Sequence, residues 1–491
     1  MDAPAKTAPE DLGRRRILTE PVPWTVFRLA APIALAMVFQ VLFNLVDQYL
    51  ISRLPPQVAD PSLDALGICD MVAAVGTIIS YGISVATTAL VARHHGAGED
   101  REAERLAWGS LGLVTVLGVF FGLVALVGSD WIVGSLVGAK GVVRDLSARY
   151  LRVIMGGNIT VFMLYQLTSI QRAYGHARSP LVVMIVGNAV NLVLAVLLVY
   201  GPGEAPAVFS WGPPVARALH LPRLEVLGAA WATLAARSLA CAVAFVMLAR
   251  DLSLRGFWRR LLPAPEVARR LVDLAWPASA QFIVRTCGML AVVSLVHHYF
   301  TTAADSTAGT AFAVCLRLET VALFVGMGWG GGIHGMIGMT LGAGDQARAK
   351  AAGYTAAAYN ALTMAALTAL YLLKGDQIVG FFTARPEVLQ VAEGYLRVVA
   401  PSYLLYGVAI VLGNAISAAG ATRLALAVDA LLVGLIQVPL LWGVVALLGA
   451  PLTGLWGALA AVNVLSAVTY LGVYRDGHRW LTRPAAEGAS A

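Results

Sequence analysis

Leu29-Ala30-Ala31-Pro32, inside the first long apolar run, returns 245 residues later as Leu274-Ala275-Trp276-Pro277. At the same offset Tyr150-Leu151-Arg152-Val153 returns as Tyr395-Leu396-Arg397-Val398. Ala173-Tyr174-Gly175-His176-Ala177-Arg178 returns as Ala418-Ala419-Gly420-Ala421-Thr422-Arg423. Gly96-Ala97-Gly98-Glu99 returns as Gly342-Ala343-Gly344-Asp345, shifted by one. One match of this kind is unremarkable in a chain rich in Ala, Gly and Leu. Four in order at a near-constant offset mark an internal duplication.

Composition says what kind of unit is duplicated. Of the 491 residues, 58% are hydrophobic and only 13% are charged, against about 25% charged in soluble domains. The solvent for most of this surface must be lipid. A span needs about 20 mostly apolar residues, and candidates lie at 25–50, 66–92, 106–128, 150–171, 179–201, 226–249, 270–298, 309–340, 351–373, 394–418, 423–448 and 452–474. None alternates as a barrel strand does. Each repeat therefore holds six spans. An even number gives both repeats the same orientation, so they should be related by an axis along the membrane normal. The expected fold is an all-α integral membrane protein of about twelve helices in two six-helix lobes, at 24–249 and 270–475. An N-terminal tail (1–23), a basic linker (250–269) and a C-terminal tail (476–491) complete the organisation.

The net charge of +7 sits in short loops rather than on a folded surface, so no nucleic-acid partner is expected. Arg14, Arg15 and Arg16 precede the first span, and Arg250, Arg255, Arg259, Arg260, Arg269 and Arg270 occupy the linker. This bias places both termini and the linker in the cytoplasm, in an inner (plasma) membrane. The linker joins two bundles that rock against each other, or is only a topogenic cluster near anionic lipid. Residues 1–23 lack a short apolar segment with a cleavage site, so the first span is expected to direct insertion. Cys69, Cys241, Cys287 and Cys315 lie in apolar runs without metal or redox spacing and read as small packing residues. Gly330-Gly331-Gly332 is not followed by Lys-Ser/Thr, so it is no phosphate loop and reads as close helix packing or a bend. With no nucleotide motif, paired acids or Ser/His arrangement, neither ATP hydrolysis nor enzyme chemistry is expected.

Pro32, Asp47, the Gly96–Glu99 loop, Gly175, Asn188 with Asn191, and Gly228-Ala229-Ala230-Trp231-Ala232-Thr233 follow in that order. Together with the repeat, this series resembles the multidrug and toxic compound extrusion (MATE) family over roughly 24–475. The resemblance implies a secondary-active antiporter with a central cavity between two lobes. It implies a coupling site at the first-helix acid, here Asp47, with Asn191 and Thr233 beside it. It also ties a bend of the first helix to coupling; Pro32 and its repeat partner Pro277 are the expected kinks, static in the bland reading.

Asp47 interrupts Leu45-Val46-Asp47-Gln48-Tyr49. A mid-membrane Asp costs roughly 2.5–3.5 kcal/mol to insert, so it either works in a wet cavity or lies at the outer interface, simply solvated. Asn188 and Asn191 share one helix face and serve the cluster or act as interhelical glue. The family carries a second acid one turn after the Asn; here that position is Ala195. A dehydrated sodium ion wants several oxygens and compensating charge, so one carboxylate favours a proton as coupling ion. Asp70 is interfacial, unless packing brings it into the cluster and restores a second carboxylate.

The second repeat departs further. One branch of the family has an acid two turns after the seventh-helix proline, and here Arg285 stands there. Arg317 and Glu319 at i,i+2 do not face each other on a helix, so the expected ion pair is Arg285–Glu319, structural or in contact with substrate; Asp429 is the other acid available. His94 and His95 are expected to be solvated, and His334 to be a hydrogen-bonded lone histidine. The functional expectation is efflux of an amphipathic or cationic small molecule by a monomer in membrane lipid, driven by protons rather than sodium, without cofactor or metal. The alternative is a lipid or lipid-linked oligosaccharide flippase, for which Arg237, Arg285 and Arg317 would be the cavity cations.

Overall fold

The computed structural model describes residues 10–249, 252, 264–302, 305–383, 385–478 and 480–481. Arg250, Arg255, Arg259, Arg260 and Pro263 of the linker, and most of the C-terminal tail, lie outside the described residues. Among the described residues the ordered structure is helical throughout. This follows from the solvent, because lipid offers no partner to a bare backbone amide.

A short helix α1 (Glu10–Thr19) precedes the first lobe. That lobe comprises α2 (Val22–Ser52), α3 (Pro56–Ala97), α4 (Asp100–Trp131), α5 (Gly141–Gly156), α6 (Asn158–Ala173), α7 (Arg178–Tyr200), the short α8 (Gly212–Ala218) and α9 (Val226–Leu248). The second lobe comprises α10 (Pro265–Phe300), α11 (Thr307–Gly332), α12 (His334–Gly342), α13 (Gln346–Gly380), α14 (Pro386–Val399), α15 (Tyr403–Ala418), α16 (Thr422–Asp429), α17 (Val438–Trp442) and α18 (Leu452–Asp476). Among the described residues eleven spans are long and apolar enough to cross a membrane, and the pair α5–α6, bent by 41°, makes a twelfth when taken as one span. The bend falls at Gly157, where a side chain would lie 2.1 Å from Leu234 of α9. The helices run on through Pro32 and Pro277, although each ring deletes one helical hydrogen bond. Phe120, Leu123 and Val468 are exposed within their helices, as befits a wall that meets hydrocarbon.

The duplication is visible in the backbone. Gly98 and Gly344 turn the chain after α3 and α12 with φ of 82° and 83°, and Gly175 and Gly420 do so after α6 and α15 with 83° and 89°. Each closes its helix with the same pair of bonds: the glycine amide to the carbonyl three back, and the next amide to the carbonyl five back. This left-handed cap needs glycine, which is why these dipeptides recur in the sequence.

The lobes meet on the side of the molecule that carries the termini. Glycines set the distance: side chains at Gly328 and Gly332 of α11 would collide with the backbone of Ala34 and Ala30 on α2, and at Gly342 with Arg93 on α3. Small residues allow this approach. The Gly330-Gly331-Gly332 run therefore belongs to close packing, with Gly330 set against Asn414. On the same face Arg270 Nη1 of the second lobe donates to Glu102 Oε1 of the first at 2.9 Å, and Arg105 reaches Glu266 at 3.3 Å. Helix α1 bridges the lobes: Arg14 Nη2 donates to Gly96 O (2.8 Å), and Arg348 donates to Ile17 O (2.9 Å) and to Glu20 O. Ile17 is buried beneath Gly175. The solvated histidine pair is corrected here. His94 binds Glu99 and Arg270, whereas His95 is buried, bonded to Asp100 at 2.7 Å and edge-on to Tyr174. The Gly98 cap folds the acidic start of α4 back over both rings.

Candidate functional site

In the first lobe Asp47 of α2, Asn191 of α7 and Thr233 of α9 come together between three helices. All three are buried. Asn191 Nδ2 donates to Asp47 Oδ1 at 3.1 Å. The Thr233 hydroxyl reaches toward the same carboxyl without completing a hydrogen bond, and Asn191 Oδ1 is likewise buried with no partner. Unsatisfied buried oxygens are uncommon and call for an explanation such as an unseen water or ion. Asn188 lies one turn from Asn191 but donates to Phe39 O of α2 at 3.3 Å, so it fixes α7 against α2 rather than facing the carboxyl. Ala195 is fully buried behind the cluster. Asp70 of α3 is exposed, within electrostatic reach of Asp47, and Arg237 of α9 lies within reach of both acids. Among the described residues Asp70 makes no hydrogen bond or ion pair of its own.

In the second lobe a partly open cavity of about 120 Å³ is lined by Arg285, Glu319 and Asp429 among aromatic and aliphatic side chains. The expected Arg285–Glu319 pair is not formed. Arg285 Nε donates to Asp429 Oδ2 at 2.6 Å, and Tyr470 OH donates to Asp429 Oδ1 at 2.6 Å. The reason is rotational setting: α10 packs against α16, bringing Asp429 under Arg285, while Glu319 turns toward α14, where Tyr395 OH donates to its Oε2 at 2.8 Å. Arg317 points elsewhere, its guanidinium 5.7 Å from the ring centroid of Phe382. Tyr395, Tyr403 and Tyr470 were not singled out as site residues. A tyrosine in an apolar span needs a partner for its hydroxyl, and that signal could have flagged them without naming the partner. His334 is buried with Nε2 unpartnered.

Two similar helical lobes in a membrane, pinned on one side and enclosing buried polar groups, define a transporter built from parallel repeats. The chain belongs to the MATE family: the MatE family model matches residues 32–197 and again 277–442, and these two matches are separated by the offset of the sequence repeat. A FAD transporter of Shewanella oneidensis is 23% identical over 94% of this chain and 95% of its own length. A protein of Deinococcus radiodurans described as "Probable multidrug resistance protein NorM" is 25% identical over 91% of this chain and 94% of its own. A multidrug resistance MATE family transporter solved in an outward-facing conformation superposes with TM-score 0.82 at 21% identity, covering 94% of this chain and 97% of that one. Members of this family are transporters rather than enzymes, and this chain is a multi-pass membrane transporter.

Proposed function

We propose that the protein is a secondary-active efflux antiporter that exports amphipathic or cationic small molecules in exchange for protons entering through Asp47. The observation that carries this reading is the buried Asp47–Asn191 contact with two neighbouring oxygens left unsatisfied. A proton needs one basic oxygen, which Asp47 supplies, and Asn191 holds the carboxyl in place. Sodium would need several charged or well-oriented oxygens. With Ala195 apolar, the second acid in electrostatic reach is the exposed Asp70, and Arg237, within reach of both acids, offsets that charge and opposes a resident cation. In this reading the termini and the basic loops face the cytoplasm, which makes the face on which the lobes meet the cytoplasmic one. Efflux fits the relatives described as multidrug resistance proteins. The flippase alternative needs free cavity cations for a pyrophosphate. Arg285 is spent on Asp429 and Arg317 lies against Phe382, which weakens it.

The test is transport of a fluorescent cation from proteoliposomes energised by a pH gradient alone, then by a sodium gradient alone. Transport is expected in the first condition. Sodium-dependent transport indifferent to pH would overturn the proton assignment.

A further inference from the structure

On the face that carries the termini, two hydrogen bonds meet on one imidazole. His94 Nδ1 lies 2.5 Å from Glu99 Oε2, and His94 Nε2 lies 3.1 Å from Arg270 Nη2. A guanidinium only donates, so Nε2 accepts. The ring is therefore neutral, with its single proton on Nδ1 and given to Glu99. A second proton would turn Nε2 into a donor aimed at a guanidinium, replacing a hydrogen bond by repulsion between like charges. Histidine is the side chain whose charge ordinarily changes between pH 5 and 8. One-fifth of the His94 side chain is exposed, so protons reach it from the solution on that face.

The two partners lie on opposite sides of the seam. Glu99 sits in the turn that follows α3 and moves with His94 whatever the lobes do. So do the other charged groups of the first lobe around it: Arg93 and His95 on α3, then Asp100, Arg101, Glu102, Glu104 and Arg105 at the start of α4. Arg270 belongs to α10 of the second lobe. Helix α10 also carries Glu266, held by Arg105 at 3.3 Å, with Arg269 and the exposed Asp273, and α1 brings Arg14 to Gly96 O. Among the described residues only Glu99 and Arg270 bond to the imidazole. The Arg270 contact is thus the one bond of this ring that closure makes and opening breaks, and it requires the neutral ring. The closed seam then binds fewer protons than the open one, so by linkage closure weakens as pH falls. Arg270 keeps its bond to Glu102 Oε1 at 2.9 Å, so protonation loosens the seam without dismantling it. His95 does not share the role, because its bond to Asp100 and its packing on Tyr174 stay within the first lobe.

We infer that His94 and Arg270 form a pH-sensitive latch between the lobes, closed while His94 is neutral and loosened when it takes up a proton. The latch is separate from Asp47 and stands whether or not that carboxylate couples transport. It is tested by spin-label distance measurements on the full chain in lipid nanodiscs. The labels are carried by Arg178→Cys and Arg423→Cys, exposed repeat partners at the starts of α7 and α16, with Cys241 and Cys287 replaced by alanine. Asp47→Asn is present throughout, so that a response of that carboxylate is not read as one of the latch. Between about pH 8 and about pH 5.5, which brackets histidine titration, the ratio of the longer-distance to the shorter-distance population should rise about tenfold, the scale of one lost charge-assisted hydrogen bond. His94→Gln can accept from Arg270 through its amide oxygen and donate to Glu99 through its amide nitrogen, and it should hold the shorter distance at both pH values. His94→Lys, a permanent cation, should favour the longer distance at both. Chromatographic profile and thermal midpoint establish that each variant is folded. Should His94→Gln fail to fold, Arg270→Ala takes its place, since without the guanidinium the pH response should vanish. A distance distribution indifferent to pH with His94 present overturns the latch, as does a pH response that survives in His94→Gln or, in its place, Arg270→Ala.

Discussion

Asp47 differs from a solvated interfacial carboxylate in that it is buried, held by one amide, and flanked by oxygens with nothing to bind. Asp47→Asn keeps the shape and the contact with Asn191 but cannot release a proton. Gradient-driven export should therefore fall to the level of protein-free liposomes, while folding and cargo affinity stay near wild type; undiminished export by the variant ends the coupling role. The Arg285–Asp429 pair gives a second outcome at this scale. Leaving one partner of a buried pair uncompensated costs about 3–5 kcal/mol, whereas apolar replacement of both is often neutral. Arg285→Met alone should lower the thermal midpoint strongly, and Arg285→Met with Asp429→Leu should recover most of it. Equal midpoints for single and double variants would show that the pair is not the source. Asp47 was legible in the sequence because a charge inside an apolar run stands out. The partner of Arg285 was not, because two acids were available and the choice depends on how α11 and α16 are rotated about their axes. Nothing in the local sequence reports that rotation.

Helices were legible to within a few residues wherever an apolar run is bounded by charges or glycine, as at Arg178–Tyr200 and Val226–Leu248. The expected single span at 150–171 is instead two helices that bend at Gly157, where the side chain of Leu234 on α9 packs against the bare glycine, a tertiary contact invisible in the run itself. Helix α1 was read as part of a polar tail. Ten residues make a marginal helix in isolation, and α1 owes its order to Arg14, Arg348 and the burial of Ile17. Arg348→Ala removes two hydrogen bonds to its C-terminal backbone carbonyls, each worth roughly 1.5 kcal/mol when charge-assisted. Amide exchange across residues 10–20 should accelerate by about tenfold or more, with exchange in α18 unchanged. Unaltered protection of α1 would show that Arg348 does not hold it.

At the scale of the whole molecule, the sequence carries the two-lobe architecture in its 245-residue repeat because the left-handed caps at Gly98, Gly175, Gly344 and Gly420 tolerate little but glycine. It does not carry the contact between the lobes. The glycines of α11 read as small packing residues, but their partners on α2 lie roughly three hundred positions away. Alternating access requires that seam to open so that the cavity can face the side of the termini. A Cβ at Gly328 would lie 2.4 Å from Ala34 Cα and 3.0 Å from its amide nitrogen, both backbone atoms, so a side chain there opposes the close contact of α2 with α11. Gly328→Val should therefore disfavour this closed arrangement of the seam and slow gradient-driven export. Gly331→Ala, one turn later, places its Cβ where nothing lies within 4 Å and should leave export near wild type. If Gly328→Val exports at the wild-type rate, close contact between α2 and α11 is not part of the cycle, and the access route must run elsewhere.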